Sequence, residues 1–179
     1  MKKKRLETEN LILRQLTVED APAVFLWGSD EKVNRYMIYP LYRTVEDGIE
    51  WLKTLNPESP EAFEYGIVQK ESGELIGSSG LYYHKDKEVW SFGYNLRSDM
   101  WNRGYATEAT RAIIDYAGSV CKIKILEAEH AVDNPASGRV MEKLGLHFDH
   151  YSEYTKLDHS ATFQSKVYRL IYPEEDGSI

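Results

Sequence analysis

The stretch from residue 101 to residue 109 constrains the fold of this chain more than any other. It follows an aromatic strand pattern and leads into an amphipathic helix pattern over about residues 105–120. The first turn of a helix has backbone N–H groups without partners, and the helix dipole adds partial positive charge there. Gly104 lets the backbone approach an anion where a Cβ would intrude. Because Asn102 and Arg103 add a polar side chain and a cation, the stretch predicts a pyrophosphate-binding loop.

The composition is that of an ordinary globular protein. The chain has 179 residues, of which 42% are hydrophobic and 28% charged, so we predict one domain over residues 1–179. Its core is expected over about residues 8–171, with a frayed tail at 173–179. No apolar run is long enough to span a membrane, and the basic start is followed by polar residues instead of the apolar core of a signal peptide. The single cysteine, Cys121, fits a reducing cytoplasm.

Hydrophobic periodicity predicts the order of the elements. The predicted segments are a strand at 10–16, helices between 21 and 55, three strands at 63–70, 75–84 and 88–96, a helix at 105–120, a strand at 123–132, a helix from 134 to 144, and two strands at 147–155 and 163–171. The pairs Thr17–Asp20 and Thr44–Asp47 resemble capping boxes for the first helices. This order predicts an α/β fold, with a mixed central sheet of about seven strands and helices on both faces.

Two motifs resemble one known family. Residues 103–109, Arg-Gly-Tyr-Ala-Thr-Glu-Ala, are similar to the acetyl-CoA loop of the GNAT superfamily of N-acetyltransferases, in the branch that resembles ribosomal-protein N-terminal acetyltransferases. Gly104 and Ala106 fit its Gln/Arg-x-x-Gly-x-Gly/Ala pattern, and Trp101 occupies the Gln/Arg place. Residues 134–145 resemble the second signature, Asn-x-x-Ser followed by a helix that ends in Lys-Leu-Gly. The resemblance covers about residues 8–171 and implies the GNAT fold.

The resemblance implies that acetyl-CoA is the co-substrate and that an amine attacks its thioester directly in a ternary complex. The residues expected to bind coenzyme A are Tyr94, Asn95, Leu96, Trp101, Asn102, Arg103, Gly104, Tyr105, Ala106, Thr107, Asn134 and Ser137. Backbone N–H groups around residues 94–96 are the expected donors to the oxyanion and to the pantetheine arm, with Leu96 the first choice. No Walker motif or complete dinucleotide fingerprint competes for the phosphate-binding interpretation.

Acetyl transfer requires a base, because an alkyl ammonium titrates near pH ~10.4 and is not nucleophilic while it is protonated. The resemblance assigns this role to Glu129, five residues before Asn134, and burial beside aromatics is expected to raise its pKa. His84 and His130 are rival bases. Relatives in this branch often carry a glutamate where this chain has Ser91.

The acid is assigned to Ser137, again by resemblance. Many members of the superfamily carry a tyrosine seven residues after the asparagine, but Met141 stands there in this chain. Tyr94, Tyr151 and Tyr154 are the residues that can replace it as the acid. No metal site is expected, because His147, His150 and His159 lack a complete ligand set.

Two acceptor classes remain open, a protein N-terminus of the ribosomal-protein type and a small amine such as a polyamine, an amino acid or an amino-sugar drug. Flexible polar loops around residues 28–44 and 151–162 would favour the first, and a closed pocket lined with carboxylates the second. Aromatic residues that can line the acceptor pocket are Trp27, Tyr36, Tyr39, Tyr42 and Trp51. The net charge of −7 disfavours nucleic acid. A non-catalytic acyl-CoA sensor and a structural domain with a decayed loop stay open as well, and relatives suggest a homodimer.

Overall fold

The secondary structure follows the periodicity of the sequence closely. A computed structural model describes residues 3–173, so the expectation of a frayed tail falls almost entirely on residues outside this range. The strands are β1 (Leu6–Glu7), β2 (Leu11–Arg14), β3 (Ala62–Gln69), β4 (Leu75–His84), β5 (Val89–Leu96), β6 (Ile125–Ala131), β7 (His147–Thr155) and β8 (Thr162–Ile171). The helices are α1 (Ala21–Gly28), α2 (Glu31–Asn34), α3 (Val45–Thr54), α4 (Tyr105–Val120) and α5 (Pro135–Lys143), with 3-10 turns at Val18–Asp20 and Ser98–Met100.

One mixed sheet organises the fold. Its eight strands lie in the order β1-β2-β3-β4-β5-β6-β8-β7. Only the β5–β6 pair is parallel among these neighbours, and the other pairs are antiparallel. The predicted α/β class and mixed sheet are therefore confirmed. The additional strand is β1, which has two residues and is too short to produce an alternating pattern in the sequence.

Helices cover both faces of the sheet, as predicted. On the first face, α4 and α5 enclose a core that includes Leu11, Leu13 and Ile113. On the second face, α1 and α3 pack with Val68 and Leu75 over the opposite side of the same strands. None of the helices within residues 3–173 is both long and apolar enough to cross a membrane.

The sheet opens between β5 and β6. Their parallel pairing consists of Trp90 with Leu126 and Ser91 with Glu127, and it does not extend further along either strand. The next residues of β5 remain paired with β4 as far as Leu96. Beyond Ser91, therefore, one edge of β5 faces a wedge-shaped gap instead of a neighbouring strand. This gap leads to the cavity described below.

Candidate active site

A cavity of about 610 Å³ lies at the open end of the gap. The N-terminus of α4 forms one side of it, α5 a second, and α2 with the residues that follow it a third. Ten residues predicted to bind the cofactor line the cavity: Tyr94, Leu96, Trp101, Asn102, Gly104, Tyr105, Ala106, Thr107, Asn134 and Ser137. The structure thus brings both sequence motifs to one cavity, although they are thirty residues apart in the chain.

The loop before α4 has the backbone conformation expected of an anion-binding turn. Gly104 is the N-cap of α4 with φ 79°, and Asn102 also has a left-handed φ of 61°. A Cβ built at Gly104 would meet no atom of the described residues within 4 Å, so the space above this backbone is open to a ligand. The Trp101 indole N–H donates to Leu96 O at 3.0 Å and thereby ties the loop to the end of β5. Arg103 is exposed and does not line the cavity.

The second motif contacts β5 directly. The Tyr94 hydroxyl donates to Ser137 Oγ at 3.1 Å, and Asn134 Nδ2 donates to the same oxygen at 3.1 Å. Asn134 is the N-cap of α5, so this network joins β5 to the first turn of α5. Burial raises the pKa of the Tyr94 hydroxyl, and the hydrogen bond to Ser137 opposes this shift. Tyr94 therefore keeps its proton at neutral pH beside the predicted acid.

Alternation along β5 decides which backbone N–H groups face the gap. Arg97 N donates to Ile76 O on the β4 side at 2.8 Å, whereas Leu96 pairs with Gly77. In an antiparallel ladder, neighbouring residues point their N–H groups in opposite directions. The N–H groups of Leu96 and Tyr94 consequently face the gap, which agrees with Leu96 as the first choice of oxyanion donor.

Asn95 is not brought to the cavity. Its N–H points towards β4 by the same alternation. Its side chain lies on the second face of the sheet, where Asn95 Oδ1 accepts a hydrogen bond of 2.6 Å from the Tyr39 hydroxyl. The alternation of Trp90, Phe92 and Tyr94 on the first face already contained this information, since the residues between them must face the opposite side.

The sequence motifs did not indicate the cations that line the cavity. Arg139 and Lys143 project from α5, and Lys32 and Arg35 belong to α2 and the residue that follows it. One carboxylate, Glu31, lines the same cavity. The spacing in α5 could have indicated two of these cations. Arg139 and Lys143 are four residues apart and therefore share a helix face with Pro135 in the first turn. Four cations around one cavity match a ligand that carries several phosphates.

Side-chain contacts hold α2 against the cavity. The Ser98 hydroxyl donates to Asp30 Oδ2 at 2.6 Å, which fixes the N-cap of α2. The buried Lys156 Nζ donates to Asn34 O at 2.8 Å and to Met37 O at 2.8 Å. The segments around residues 28–44 and 151–162 are therefore hydrogen-bonded to each other at Asn34, Met37 and Lys156.

Glu129, the predicted base, lies outside the cavity. Its side chain is exposed on the second face of the sheet, where it accepts a hydrogen bond from the Ser165 hydroxyl. The expectation that aromatic residues bury Glu129 is wrong. The Tyr154 hydroxyl is nevertheless nearby, because its pKa is raised mainly by burial and also by the negative charge of Glu129.

The rival histidine bases differ in access. His130 is 5% exposed and lies beneath α5, with Nδ1 2.7 Å from Ala131 O and Nε2 buried without a hydrogen-bond partner among residues 3–173. Gly138 is required above this ring, because a Cβ there would lie 2.8 Å from His130 Nε2. His84 is on the second face, with Nε2 2.6 Å from Ser91 Oγ. Of the two histidines, His84 is thus the one accessible to an amine.

The other aromatic candidates separate into different places. Among the candidate acids, Tyr94 is in the cavity, Tyr151 is 68% exposed on β7, and the Tyr154 hydroxyl donates to Tyr36 O at 2.7 Å. Of the aromatics expected at the acceptor pocket, Tyr36 lines the cavity and Trp51 lines a second cavity of about 320 Å³. Trp27 is core, and Tyr39 and Tyr42 pack together with their ring centroids 5.4 Å apart.

The family is decided by sequence comparison. Residues 10–147, well over half of the chain, match the family model described as the acetyltransferase (GNAT) domain. The chain belongs to the GNAT family. It is therefore an N-acetyltransferase, and membership of the family makes acetyl-CoA its co-substrate.

Individual relatives agree with this assignment. The chain is 28% identical over 176 residues to the uncharacterized N-acetyltransferase YoaA of Bacillus subtilis, covering 95% of this chain and 98% of YoaA. Among solved structures, it resembles the ribosomal α-N-protein acetyltransferase RimL in complex with coenzyme A, with a TM-score of 0.81, 16% identity and coverage of 94% and 98%. It also resembles the microcin self-immunity acetyltransferase MccE in complex with acetyl-CoA and AMP, with a TM-score of 0.79, 16% identity and coverage of 92% and 94%. At these identities the structural likeness concerns the fold.

Proposed function

We propose that this GNAT enzyme transfers the acetyl group directly to the N-terminal amine of a protein or peptide, in a ternary complex. The observation that carries the proposal is the position of Tyr94. Its N–H faces the gap and its hydroxyl contacts Ser137, so one residue of β5 touches both the place for the thioester and the predicted acid. The coenzyme A pyrophosphate would lie on the N–H groups after Gly104, near the cations of α5.

In this arrangement the thioester carbonyl points at the N–H groups of Tyr94 and Leu96. These groups stabilise negative charge on the carbonyl oxygen as the tetrahedral intermediate forms. The amine approaches from the second face of the sheet, attacks the carbonyl carbon, and the C–S bond breaks. The departing thiolate lies at the Tyr94–Ser137 pair, from which it receives a proton.

The acceptor end of the gap supports a peptide terminus because it is open. Gly93, on the second face beside the gap, is exposed, and a Cβ there would meet no atom of residues 3–173 within 4 Å. An extended chain can reach such a surface without entering a closed pocket. RimL, a protein of the same fold, acts on a ribosomal protein terminus by its name.

A small cationic amine is the alternative acceptor, and one observation favours it. Glu127 and Glu129 both lie on the second face of β6, so the approach to the gap carries negative charge. Arg169 neutralises part of this charge through its contact of 2.7 Å with Glu127 Oε2. The acidic approach attracts a polyamine with several ammonium groups more strongly than the single ammonium group of a protein terminus.

The experiment measures release of the coenzyme A thiol from acetyl-CoA with two acceptor panels. One contains short peptides that begin with serine, alanine or methionine, and the other contains spermidine, free amino acids and an aminoglycoside. We expect turnover with peptides, intersecting initial-rate plots, and no acetylated enzyme when acetyl-CoA is added alone. Turnover confined to the second panel would support the small-amine alternative. Thiol release from neither panel by a protein that binds acetyl-CoA would support the sensor.

A further inference from the structure

The second face of the sheet carries a row of four residues across four adjacent strands. Glu64 on β3 pairs with Gly80 on β4, and Gly80 pairs with Gly93 on β5. Directly paired residues share a face of the sheet. Glu129, two residues after Glu127 on β6, lies on that same face across the gap from Gly93. Across the sheet, the row therefore consists of the Glu64 carboxylate, Gly80, Gly93, the gap and the Glu129 carboxylate.

The row is bare at Gly93, next to the gap, whereas side chains cover Gly80. At Gly80, a Cβ would overlap the Glu64 carboxylate and the Tyr82 hydroxyl, so the Glu64 side chain lies directly over this residue. At Gly93, a Cβ would meet nothing of the described chain within 4 Å. The Glu64 carboxylate thus points along the row towards an open surface that ends at the gap.

Neighbouring groups hold the Glu64 carboxylate in place, and none of those described is a cation paired with it. The Tyr82 hydroxyl donates to Glu64 Oε2. The second cavity, which Glu64 lines with Gln15, Leu16 and Trp51 among others, has no further charged side chain from residues 3–173 in its lining. The nearby Arg14 guanidinium donates two hydrogen bonds of 2.8 Å to the Asp20 carboxylate. The His84 ring is hydrogen-bonded to the Ser91 hydroxyl. Buried Gln15 Nε2 lines the same cavity and has no hydrogen-bond partner within the described range.

We propose that Glu64 is the base on the acceptor side of this enzyme, and that the acceptor amine lies at Gly93, between Glu64 and the gap. The proposal deepens the proposed function and rests on it. It also accounts for the absence of a glutamate at Ser91, because Glu64 reaches the same face from β3 across Gly80. Burial raises the pKa of the Glu64 carboxyl to about 8, with Ser78 opposing, close to the pKa of about 7.7–8.0 of an α-amino group.

The proton balance of the step is complete. The ammonium group of the acceptor gives one proton to the Glu64 carboxylate, and the resulting amine attacks the thioester carbon. The new C–N bond forms, the C–S bond breaks, and Tyr94 gives a proton to the thiolate through its contact with Ser137. The second proton leaves the nitrogen as the intermediate collapses and replaces the one that Tyr94 supplied. Glu64 then returns its proton to solvent.

The test uses the 179-residue chain with Glu64→Gln, Gly93→Val and the control Glu50→Gln, which alters an exposed carboxylate on α3 that pairs with Lys53. We measure kcat and kcat/KM for the best acceptor between pH 6 and 10, and the Kd of acetyl-CoA by calorimetry. Wild type should show kcat/KM rising with pH through an apparent pKa near 8. Glu64→Gln should lower kcat by ~10²-fold and flatten the pH dependence of kcat at saturating acceptor, which is typical of losing a general base, whereas the ionisation of the free amine remains in kcat/KM. Its Kd for acetyl-CoA should stay within about twofold.

Gly93→Val provides an independent test that does not depend on the Glu64 variant folding correctly. A strand position tolerates valine well, and the space above Gly93 is open. We expect the KM of the amine to rise at least ~10-fold, with the Kd of acetyl-CoA unchanged, because the side chain fills this space. Wild-type rates and pH profiles in both variants would overturn the role of Glu64 and leave the proposed function intact. A wild type that binds acetyl-CoA and acetylates no amine would overturn the proposed function and this inference together.

Discussion

The Tyr94 hydroxyl lies 3.1 Å from Ser137 Oγ and joins the strand that borders the gap to the helix that begins after Asn134. The two residues are 43 positions apart, so their contact does not follow from the local sequence. The contact exists because β5 and α5 border the same cavity. It places a protonated phenol and a hydroxyl together at the proposed position of the departing coenzyme A thiolate.

Replacing Tyr94 with Phe should lower kcat by ~10–10²-fold while leaving the Kd of acetyl-CoA within about threefold, because the hydroxyl acts on the leaving thiolate. Ser137→Ala should have a similar effect, and the double variant should lose little more than either single variant, since the two groups act as a unit. Tyr151→Phe, on the exposed part of β7, is the matched control. Additive losses in the double variant would show that the two hydroxyls act separately.

The cations of α5 give a second prediction. Arg139→Ala and Lys143→Ala should each weaken acetyl-CoA binding by about 3–10-fold, because a charge-assisted contact to a phosphate is partly screened by water at this exposed helix. The loss should shrink as salt is raised from about 0.05 to about 0.5 M. Lys53→Ala, on α3 away from the cavity, is the control. Unchanged affinity for acetyl-CoA in both α5 variants at low salt would show that these cations do not contact the cofactor.

Glu64 should make the stability of the protein depend on pH. Burial raises the pKa of its carboxyl in the folded state to about 8, against about 4.3 in an unfolded chain. The folded state therefore binds the proton more tightly, so this stabilising contribution is complete below about pH 4 and is lost as pH rises through about 8. Relative to Glu64→Gln, wild type should lose up to a few kcal/mol of unfolding free energy between about pH 5 and about pH 9.

Urea unfolding at pH 5, 7 and 9 measures this difference directly. The Glu50→Gln variant should follow wild type across the range, because its carboxylate is exposed. If wild type and Glu64→Gln lose stability in parallel as pH rises, the Glu64 carboxyl titrates normally in the folded protein.

The order of elements was predictable because local rules agree with the tertiary structure here. Alternation of apolar and polar residues predicts the strands, and helical spacing predicts α4 over the residues that form it in the structure. Thr17 and Thr44 lie at the starts of helical segments, as their capping patterns predict. The anion loop was predictable for the same reason, since a glycine before a helix is a local signal. Asn95 was the exception, because strand alternation sends its side chain away from the cavity.

The residues on the acceptor side of the gap could not be predicted from sequence patterns, because they come from different strands. Glu64 and Gly80 are sixteen positions apart, and nothing local indicates that one covers the other. The burial expected for Glu129 depended on the packing of β7 and β8, which leaves it exposed. Residues of α2 reach the cavity through the contacts of Asp30 and Lys156, which join segments far apart in the chain.

Calorimetric titration of acetyl-CoA into wild type, Gly104→Glu and Gly73→Glu measures whether the loop at Gly104 binds acetyl-CoA. Both glycines have a left-handed φ, 79° and 72°, and a Cβ at either meets nothing of residues 3–173 within 4 Å, so the two substitutions strain the backbone alike. Gly73 lies in the turn between β3 and β4, away from the cavity. We predict micromolar binding by wild type and Gly73→Glu, and none by Gly104→Glu, whose carboxylate would occupy the phosphate site. Equal binding by all three proteins would show that the loop at Gly104 does not hold the phosphates of acetyl-CoA.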